Sequence, residues 1–175
     1  TSSYGEIISM DESPLWYKIL WVGTDDGNLQ VSRDGGKNWN EVSQNIYGLP
    51  SESYVSRVIS SKKGRGTAYV TFDRHREGDW SPYVFRTDDY GQTWQDLSDD
   101  LPSGSINVIL EHPDNANVLF LGTEHAVFIS MNSGNDWVEF NSNLPTTLYD
   151  DMVIHPREKD IVLGTHGRSF WVLDD

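Results

Sequence analysis

The chain has no cysteine, so neither a disulfide framework nor thiol chemistry contributes to it. Basic residues are scarce: 13 Lys and Arg stand against 27 Asp and Glu, a formal net charge of -14. Binding to DNA or RNA requires a basic footprint, so nucleic acid is not an expected partner. An anionic membrane surface is disfavoured for the same reason. No apolar run approaches the ~20 residues of a membrane-spanning helix, and no membrane insertion is expected. No helical period is sustained over three turns, and no Gly-x-Ser-x-Gly elbow presents a serine nucleophile. An initiator Met is also missing; a chain that begins at Thr1 is expected to have been processed or cut from something longer.

What is present is alternation. Apolar residues alternate with polar ones or form short β-branched runs, and Gly, Pro, Asn and Asp interrupt them every 8–12 residues, which is the all-β pattern. The length of 175 residues suits one domain. Seven Trp and eight Tyr are many for this size and suit wedges between sheets or stacking surfaces for flat ligands.

Four landmarks recur in fixed order. A Pro turn follows a strand at Glu12-Ser13-Pro14, His112-Pro113-Asp114 and His155-Pro156-Arg157. A hydrophobic strand then ends in Gly-Thr at Gly23-Thr24, Gly122-Thr123 and Gly164-Thr165. Next comes a box of the form Ser/Thr-x-Asp/Asn-x-Gly-x-x-Trp. Its copies are Ser32, Asp34, Gly36 and Trp39; Thr87, Asp89, Gly91 and Trp94; and Ser130, Asn132, Gly134 and Trp137. A Leu-Pro step closes each unit at Leu49-Pro50, Leu101-Pro102 and Leu144-Pro145. Pro113 to Pro156 and Asp89 to Asn132 are each 43 residues apart. Asp34 to Asp89 is 55, the excess falling in an insertion around Asp73–Ser81.

Units of this length with four strands each are propeller blades. The expected fold is therefore an all-β, single partial propeller over 1–175. Its blades of four antiparallel strands span about 5–48, 53–100 and 105–143, with an incomplete fourth at 148–175 that lacks its outer strand. The strands of a blade are named A to D, innermost to outermost.

The boxes resemble the Asp-boxes of bacterial-neuraminidase-repeat propellers. The stretches "VGTDDGNLQVSRDGGKNW" and "IVLGTHGRSFWVLDD" are similar to sortilin-type, glycosyl-hydrolase-like repeat proteins. The resemblance implies a propeller and an extracellular or periplasmic setting. It does not select an activity, because hydrolases, sorting receptors and assembly factors share such boxes. Sialidase chemistry is rejected: it needs three arginines, a Tyr/Glu pair and an acid, and Tyr83-Val84-Phe85-Arg86-Thr87 is not the Arg-Ile-Pro signature.

Within a box, the Asp side chain is expected to accept backbone N–H groups of its own turn, with help from the Ser/Thr hydroxyl. The Gly is expected at positive φ, and the Trp in the gap beside its blade. Asn132 keeps an acceptor oxygen without the charge. The box residues are thus read as structural, not as calcium ligands, since a calcium loop needs alternating carboxylates and a terminal Glu. No metal and no cofactor are expected.

Propeller geometry puts the boxes and A–B turns on one face and the B–C and D–A loops on the other, around the channel. The expected ligand-binding face comprises Asp26, Arg74, His75, Trp80, His125, His166 and Arg168. Asp25, Asp26, Asp73 and Glu124 are the weak candidates for a catalytic carboxylate pair; a His/Asp metal site is the other chemistry such loops could build. Set against both is the reading of solvated loop ends, with His166 and Arg168 tied to backbone carbonyls. Arg57 on an inner strand is expected to pair with an acid such as Asp73. Tyr149, Asp150 and Asp151 stand at the channel mouth. His112 and His155 are turn residues of the opposite face.

Two functions follow. One is a binding or scaffold module for a protein, peptide or glycan. The other is part of a glycoside hydrolase of the two-propeller, xyloglucan-cleaving type. Fewer than four complete blades cannot close a ring, so the chain is expected to be a fragment of a larger propeller or a homo-oligomer.

Overall fold

The computed structural model describes residues 5–140 and 143–174. Four antiparallel sheets succeed one another along the chain, each a simple meander. The first contains β1 (Ile7–Glu12), β2 (Leu20–Thr24), β3 (Leu29–Ser32) and β4 (Asn40–Glu41). The second contains β5 (Tyr54–Ser60), β6 (Ala68–Asp73), β7 (Tyr83–Thr87) and β8 (Gln95–Asp96). The third contains β9 (Ile106–His112), β10 (Asn115–Thr123), β11 (Val127–Ser130) and β12 (Val138–Glu139). The fourth has three strands, β13 (Tyr149–Ile154), β14 (Ile161–Thr165) and β15 (Phe170–Leu173). The only helical segments among the described residues are two short 3-10 turns, Ser43–Asn45 and His75–Glu77. The inner strands β1, β5, β9 and β13 are successive neighbours, so the sheets are propeller blades: three complete, one partial.

Strand alternation divides each blade into a face toward the preceding blade and a face toward the next. In β10, Leu119 and Leu121 pack with Tyr69 and Val84 of blade two, whereas Phe120 packs with Tyr149 and Leu163 of blade four. In β2, Trp21 packs against Val55, Val70 and Phe72 of blade two. The core is thus three stacked interblade layers rather than one centre. In blades one and three the Gly of the Gly-Thr step marks a close approach to the next blade. A Cβ on Gly23 would lie 2.2 Å from Val55 Cγ1, and one on Gly122 would lie 3.0 Å from Tyr149 Cβ.

The boxes form the C–D turns. In blade one, Asp34 Oδ1 accepts the backbone N–H groups of Lys37 (3.0 Å) and Asn38 (2.9 Å), and Ser32 Oγ accepts Gly36 N–H at 2.8 Å. In blade two, Asp89 Oδ1 accepts Thr93 N–H at 2.9 Å and Thr87 Oγ1 accepts Gly91 N–H at 2.9 Å. In blade three, Asn132 Oδ1 accepts Asp136 N–H at 3.0 Å. Gly36, Gly91 and Gly134 all have φ between 82° and 89°. The residue before each is left-handed too, at Gly35, Tyr90 and Ser133, which the spacing alone does not announce.

Substituting Asn132 for Asp reverses a hydrogen bond. Asn38 Nδ2 donates to Asp34 Oδ2 at 2.7 Å and Thr93 Oγ1 donates to Asp89 Oδ2 at 2.7 Å. In blade three, Asn132 Nδ2 is the donor, and Asp136 Oδ2 accepts at 2.6 Å. The lost charge at position 132 returns four residues later.

The box tryptophans face the preceding blade. Trp137 is 7% exposed, packs with Leu97 of blade two and donates its indole N–H to the Leu97 carbonyl at 2.9 Å. Trp94 meets Trp21 of blade one edge-on, with centroids 6.1 Å apart. Trp39 departs from the expected wedge: it is 38% exposed, because no described blade stands before blade one.

Candidate ligand-binding site at the channel mouth

All four inner strands carry a β-bulge at the same step. Pairing skips Ile8 in β1, Ser56 in β5, Asn107 in β9 and Asp150 in β13. In each blade the residue after the bulge stands opposite the same B-strand position, namely Gly23, Thr71, Gly122 or Gly164. A bulge adds one residue to one strand and re-aims its side chain, and bulges concentrate beside functional sites. Here all four bulged residues line one cavity of about 1120 Å³.

The walls of that cavity come from the B–C loops of blades one and two and the connection between those blades. Asp25, Asp26 and Asn28 form one side, Ser51 and Glu52 the next, and Asp73, Arg74, Arg76 and Glu77 the third. Tyr54 and Arg57 of β5 complete it. Glu52 adopts φ 56°, a left-handed conformation uncommon for a residue with a side chain. The lining holds six carboxylates and three arginines. Two of those arginines are already paired. Arg74 Nε lies 3.3 Å from Asp79, and Arg57 Nη2 lies 2.7 Å from Asp151 of blade four. The expected Arg57–Asp73 pair does not form; Asp73 instead holds His75, accepting its backbone N–H at 2.9 Å and meeting Nδ1 at 2.5 Å. Arg57 reaches blade four because it follows the bulge in β5 and Asp151 follows the bulge in β13.

The candidate residues divide. Asp25, Asp26, Asp73 and Arg74 come together in the cavity; Glu124, His75, Trp80, His125, His166 and Arg168 are not among its lining residues. Glu124 faces His125 at 3.6 Å, and His75 lies beside Trp80 with ring centroids 6.1 Å apart. His166 Nδ1 is 3.5 Å from Asp150 Oδ2, and the His166 backbone N–H donates to the Leu148 carbonyl at 2.9 Å. Arg168 contributes its own carbonyl as acceptor for the Trp171 indole. Asp25 accepts the backbone N–H groups of Gly5 and Glu6 at 2.7 and 2.8 Å. Asp26 is held by the Thr24 hydroxyl and by Asn28 Nδ2 at 2.9 Å. Ile8, Ser56 and Asn107 carry no sequence signal as site residues, because a bulge is a property of pairing between strands rather than of one strand's pattern.

Charge states follow from these contacts. The Thr24 hydroxyl holds the Asp26 carboxyl below its ordinary range, and the Ser81 N–H does the same for Asp79. Burial pushes Asp11 and Glu111 up, but both serve the blade-two A–B turn: Asp11 accepts Ser60 N–H at 2.6 Å and Glu111 accepts Lys62 N–H at 2.8 Å. Three donor atoms of the lining residues are buried without a hydrogen-bond partner: Arg57 Nε, Asn107 Nδ2 and Arg74 Nε, the last of which has the Asp79 carboxylate 3.3 Å away. Among the described residues no group of three or more His, Cys, Asp or Glu converges as a metal-ligand set.

Solved structures similar to this chain are propellers. YCF48 bound to a D1 peptide is 19% identical over 90% of this chain and 47% of that one, with a TM-score of 0.62. A GH74 enzyme of Niastella koreensis is 10% identical over 91% of this chain and 26% of that one, with a TM-score of 0.70. The extracellular domain of BT4673, a two-component system protein of B. thetaiotaomicron, is 14% identical over 100% of this chain and 22% of that one, with a TM-score of 0.72. The chain thus spans less than half the length of each of these structures. No curated protein matches it. The family described as Sortilin-Vps10 (sortilin, neurotensin receptor 3) matches residues 82–172, just over half of the sequence, and the chain belongs to that family.

Proposed function

We propose that this propeller segment is a binding module whose channel mouth takes an extended, positively charged peptide. The observation that carries the reading is the set of four aligned bulges, which turn Ile8, Ser56, Asn107 and Asp150 into one acidic cavity. Six carboxylates line it, and two of its three arginines are neutralised by acids. A cationic side chain entering this mouth gains from that field, and an anionic one is repelled. The unpartnered Asn107 amide supplies a donor for a peptide carbonyl, and Ile8 supplies an apolar contact. YCF48, a propeller similar in fold, has been solved with a peptide bound.

Glycoside hydrolysis is the alternative, and the geometry supports it less. A hydrolase needs a carboxyl kept protonated as general acid beside a second carboxylate. The two carboxyls pushed up by burial, Asp11 and Glu111, stand outside the cavity lining, while Asp26 within it is held low.

Calorimetric titration with an unstructured Lys-containing peptide and its Glu-containing counterpart tests the reading. Binding of the Lys peptide is expected to weaken with added salt and to fall about tenfold, or ~1.4 kcal/mol, in Asp150→Asn. Equal binding of both peptides, or none of either, would sink it. Release of reducing sugar from a soluble β-glucan, lost in Asp26→Asn, would favour the alternative.

A further inference from the structure

Of the three arginines at the channel mouth, one stands apart from the acids. Arg57 is bound to Asp151 and Arg74 to Asp79. Arg74 is also held by the Ser51 carbonyl and Ser53 Oγ, each at 3.0 Å. Arg76 makes no ion pair among the described residues, although six carboxylates line the same cavity. Its guanidinium lies over the Tyr54 ring, with Cζ 5.5 Å from the centroid. That is inside the distance of about 6 Å at which an aromatic face attracts a cation.

Strand pairing and the blade-two insertion build this arrangement. Tyr54 opens β5 and pairs with Asp73 at the end of β6, so the two side chains share one side of the sheet. Asp73 then fixes the start of the insertion by accepting the His75 N–H at 2.9 Å. The 3-10 turn His75–Glu77 is closed by Glu77 N–H on the Arg74 carbonyl and by Gly78 N–H on the His75 carbonyl, at 2.9 and 3.0 Å. With the backbone held in this way, Arg74 and Arg76 line the cavity and His75 between them does not. Asp25 lines it from blade one. Burial pushes the Tyr54 hydroxyl up, the Arg76 charge pulls it down, and the Asp73 and Asp25 charges push it up, so all three charges are felt at the ring. Tyr54 is half-buried and Arg76 is exposed, so the cation over the ring is the part free to move.

Resting on the reading of the mouth as a site for a positively charged peptide, we infer that the Tyr54 ring, with Asp25 and Asp73 beside it, is the seat of the peptide's cationic side chain, and that Arg76 fills this seat until the peptide displaces it. The group the ring already carries is a guanidinium. A planar guanidinium stacks on an aromatic face and an ammonium does not, so the seat suits arginine above lysine. Arg76 also sets the apparent affinity, because a site open only part of the time binds its ligand more weakly by that fraction.

Calorimetric titration of the 175-residue chain with an unstructured Arg-containing peptide and its Lys counterpart tests the seat. Arg76→Ala changes an exposed side chain, so it is expected to keep its β-sheet circular dichroism. It should tighten binding of the Arg peptide about tenfold, as for a seat open roughly a tenth of the time. The same gain is expected on a Tyr54→Phe background, which keeps the ring. It should vanish on Tyr54→Leu, which removes the ring and weakens binding by itself. An equal gain on Tyr54→Leu would make Arg76 only one more positive charge in an acidic field, and that overturns the seat. Unchanged or weaker binding in Arg76→Ala, where the wild type binds, overturns Arg76 as its occupant and leaves the mouth a peptide site. A Lys peptide bound as tightly as the Arg peptide overturns the preference for a guanidinium. Binding of neither peptide, by the wild type or by Arg76→Ala, removes the reading of the mouth itself and the seat with it.

Discussion

The two faces of this propeller segment are built differently. On one, the C–D turn is made three times with one recipe: a hydroxyl, an acid or amide, a left-handed Gly and a Trp. On the other, no two B–C loops agree in composition, and the wall of the cavity rises only over blades one and two. The first face spends its polar groups on its own backbone. Asp34, Asp89 and Asn132 each accept N–H groups of their own turns. The second leaves donors such as Asn107 Nδ2 without a protein partner. Repetition marks the groups that hold the fold, and irregularity marks the groups free to meet something else.

The comparison predicts large stability losses on the repeated face wherever a blade covers it. Trp137→Ala removes a side chain packed between blades two and three and leaves the Leu97 carbonyl without its donor. The expected cost is ~3–5 kcal/mol in urea unfolding, in line with other buried aromatic deletions. Trp39→Ala, the same box position on the open flank, is expected to cost about 1 kcal/mol or less. Equal losses would break the idea that the covering blade, not the box itself, sets the value of the Trp.

Acid separates the boxes next. The Asn38 side chain and its backbone N–H lower Asp34 to about 2. For Asp89, burial acts upward, but the Thr93 N–H and hydroxyl and the Thr87 hydroxyl outweigh it. Both groups are thus lower folded than unfolded. Between the two values the unfolded chain binds more protons, so stability is present above the ordinary carboxylate pKa and lost as pH falls through the folded one. The melting temperature should drop steeply from pH 4 toward about 2. Asp34→Asn with Asp89→Asn should flatten that drop. Asp11 and Glu111 act in the opposite sense: raised by burial, they favour the folded chain at low pH and lose that contribution as pH rises. A slope unchanged in the double variant would mean that the box carboxylates do not govern acid unfolding.

A smaller effect tests the reversed hydrogen bond in blade three. Asn132→Asp places a second carboxylate against Asp136 and removes the amide donor. The expected cost is about 0.5–1.5 kcal/mol. Adding Asp136→Asn recreates the blade-one arrangement of Asp34 with Asn38 and should recover most of it, a coupling measurable as a double-mutant cycle. Additive losses would show that the two side chains do not act as a pair.

How far each face is legible in the sequence follows from the same physics. The box is local: its groups lie within eight residues, so Ser32 to Trp39 can be read directly as a turn. The first two Gly-Thr steps, at Gly23 and Gly122, mark where blades approach, and the spacing of all three gives the blade phase. The site depends on pairing between strands. Nothing in Tyr54-Val55-Ser56-Arg57 says that Ser56 will be skipped, and the register that skips it exists only once β6 is in place. For the same reason the partner of Arg57 is Asp151, far away in sequence, rather than the nearby Asp73. The insertion at Asp73–Ser81 is visible as extra length, but only folding shows that Arg74 enters the cavity while His75 and Trp80 do not line it.

The smallest stability effect is the sharpest probe of the contrast. Asn107 Nδ2 is buried without a partner, so the folded state already bears the cost of its desolvation. Removing such a donor returns that cost, whereas removing a satisfied one leaves its partner stranded. Asn107→Ala is therefore expected to change unfolding free energy by no more than about 0.5 kcal/mol, in either direction. The same substitution should weaken binding of the Lys-containing peptide, because the orphaned amide is then absent from the mouth. Stability and binding would move independently at position 107, as they do at sites kept for function at the expense of the fold. A loss of 2 kcal/mol or more in unfolding would instead make Asn107 a structural residue and place the bulge ring with the boxes, on the side of the molecule that serves only itself.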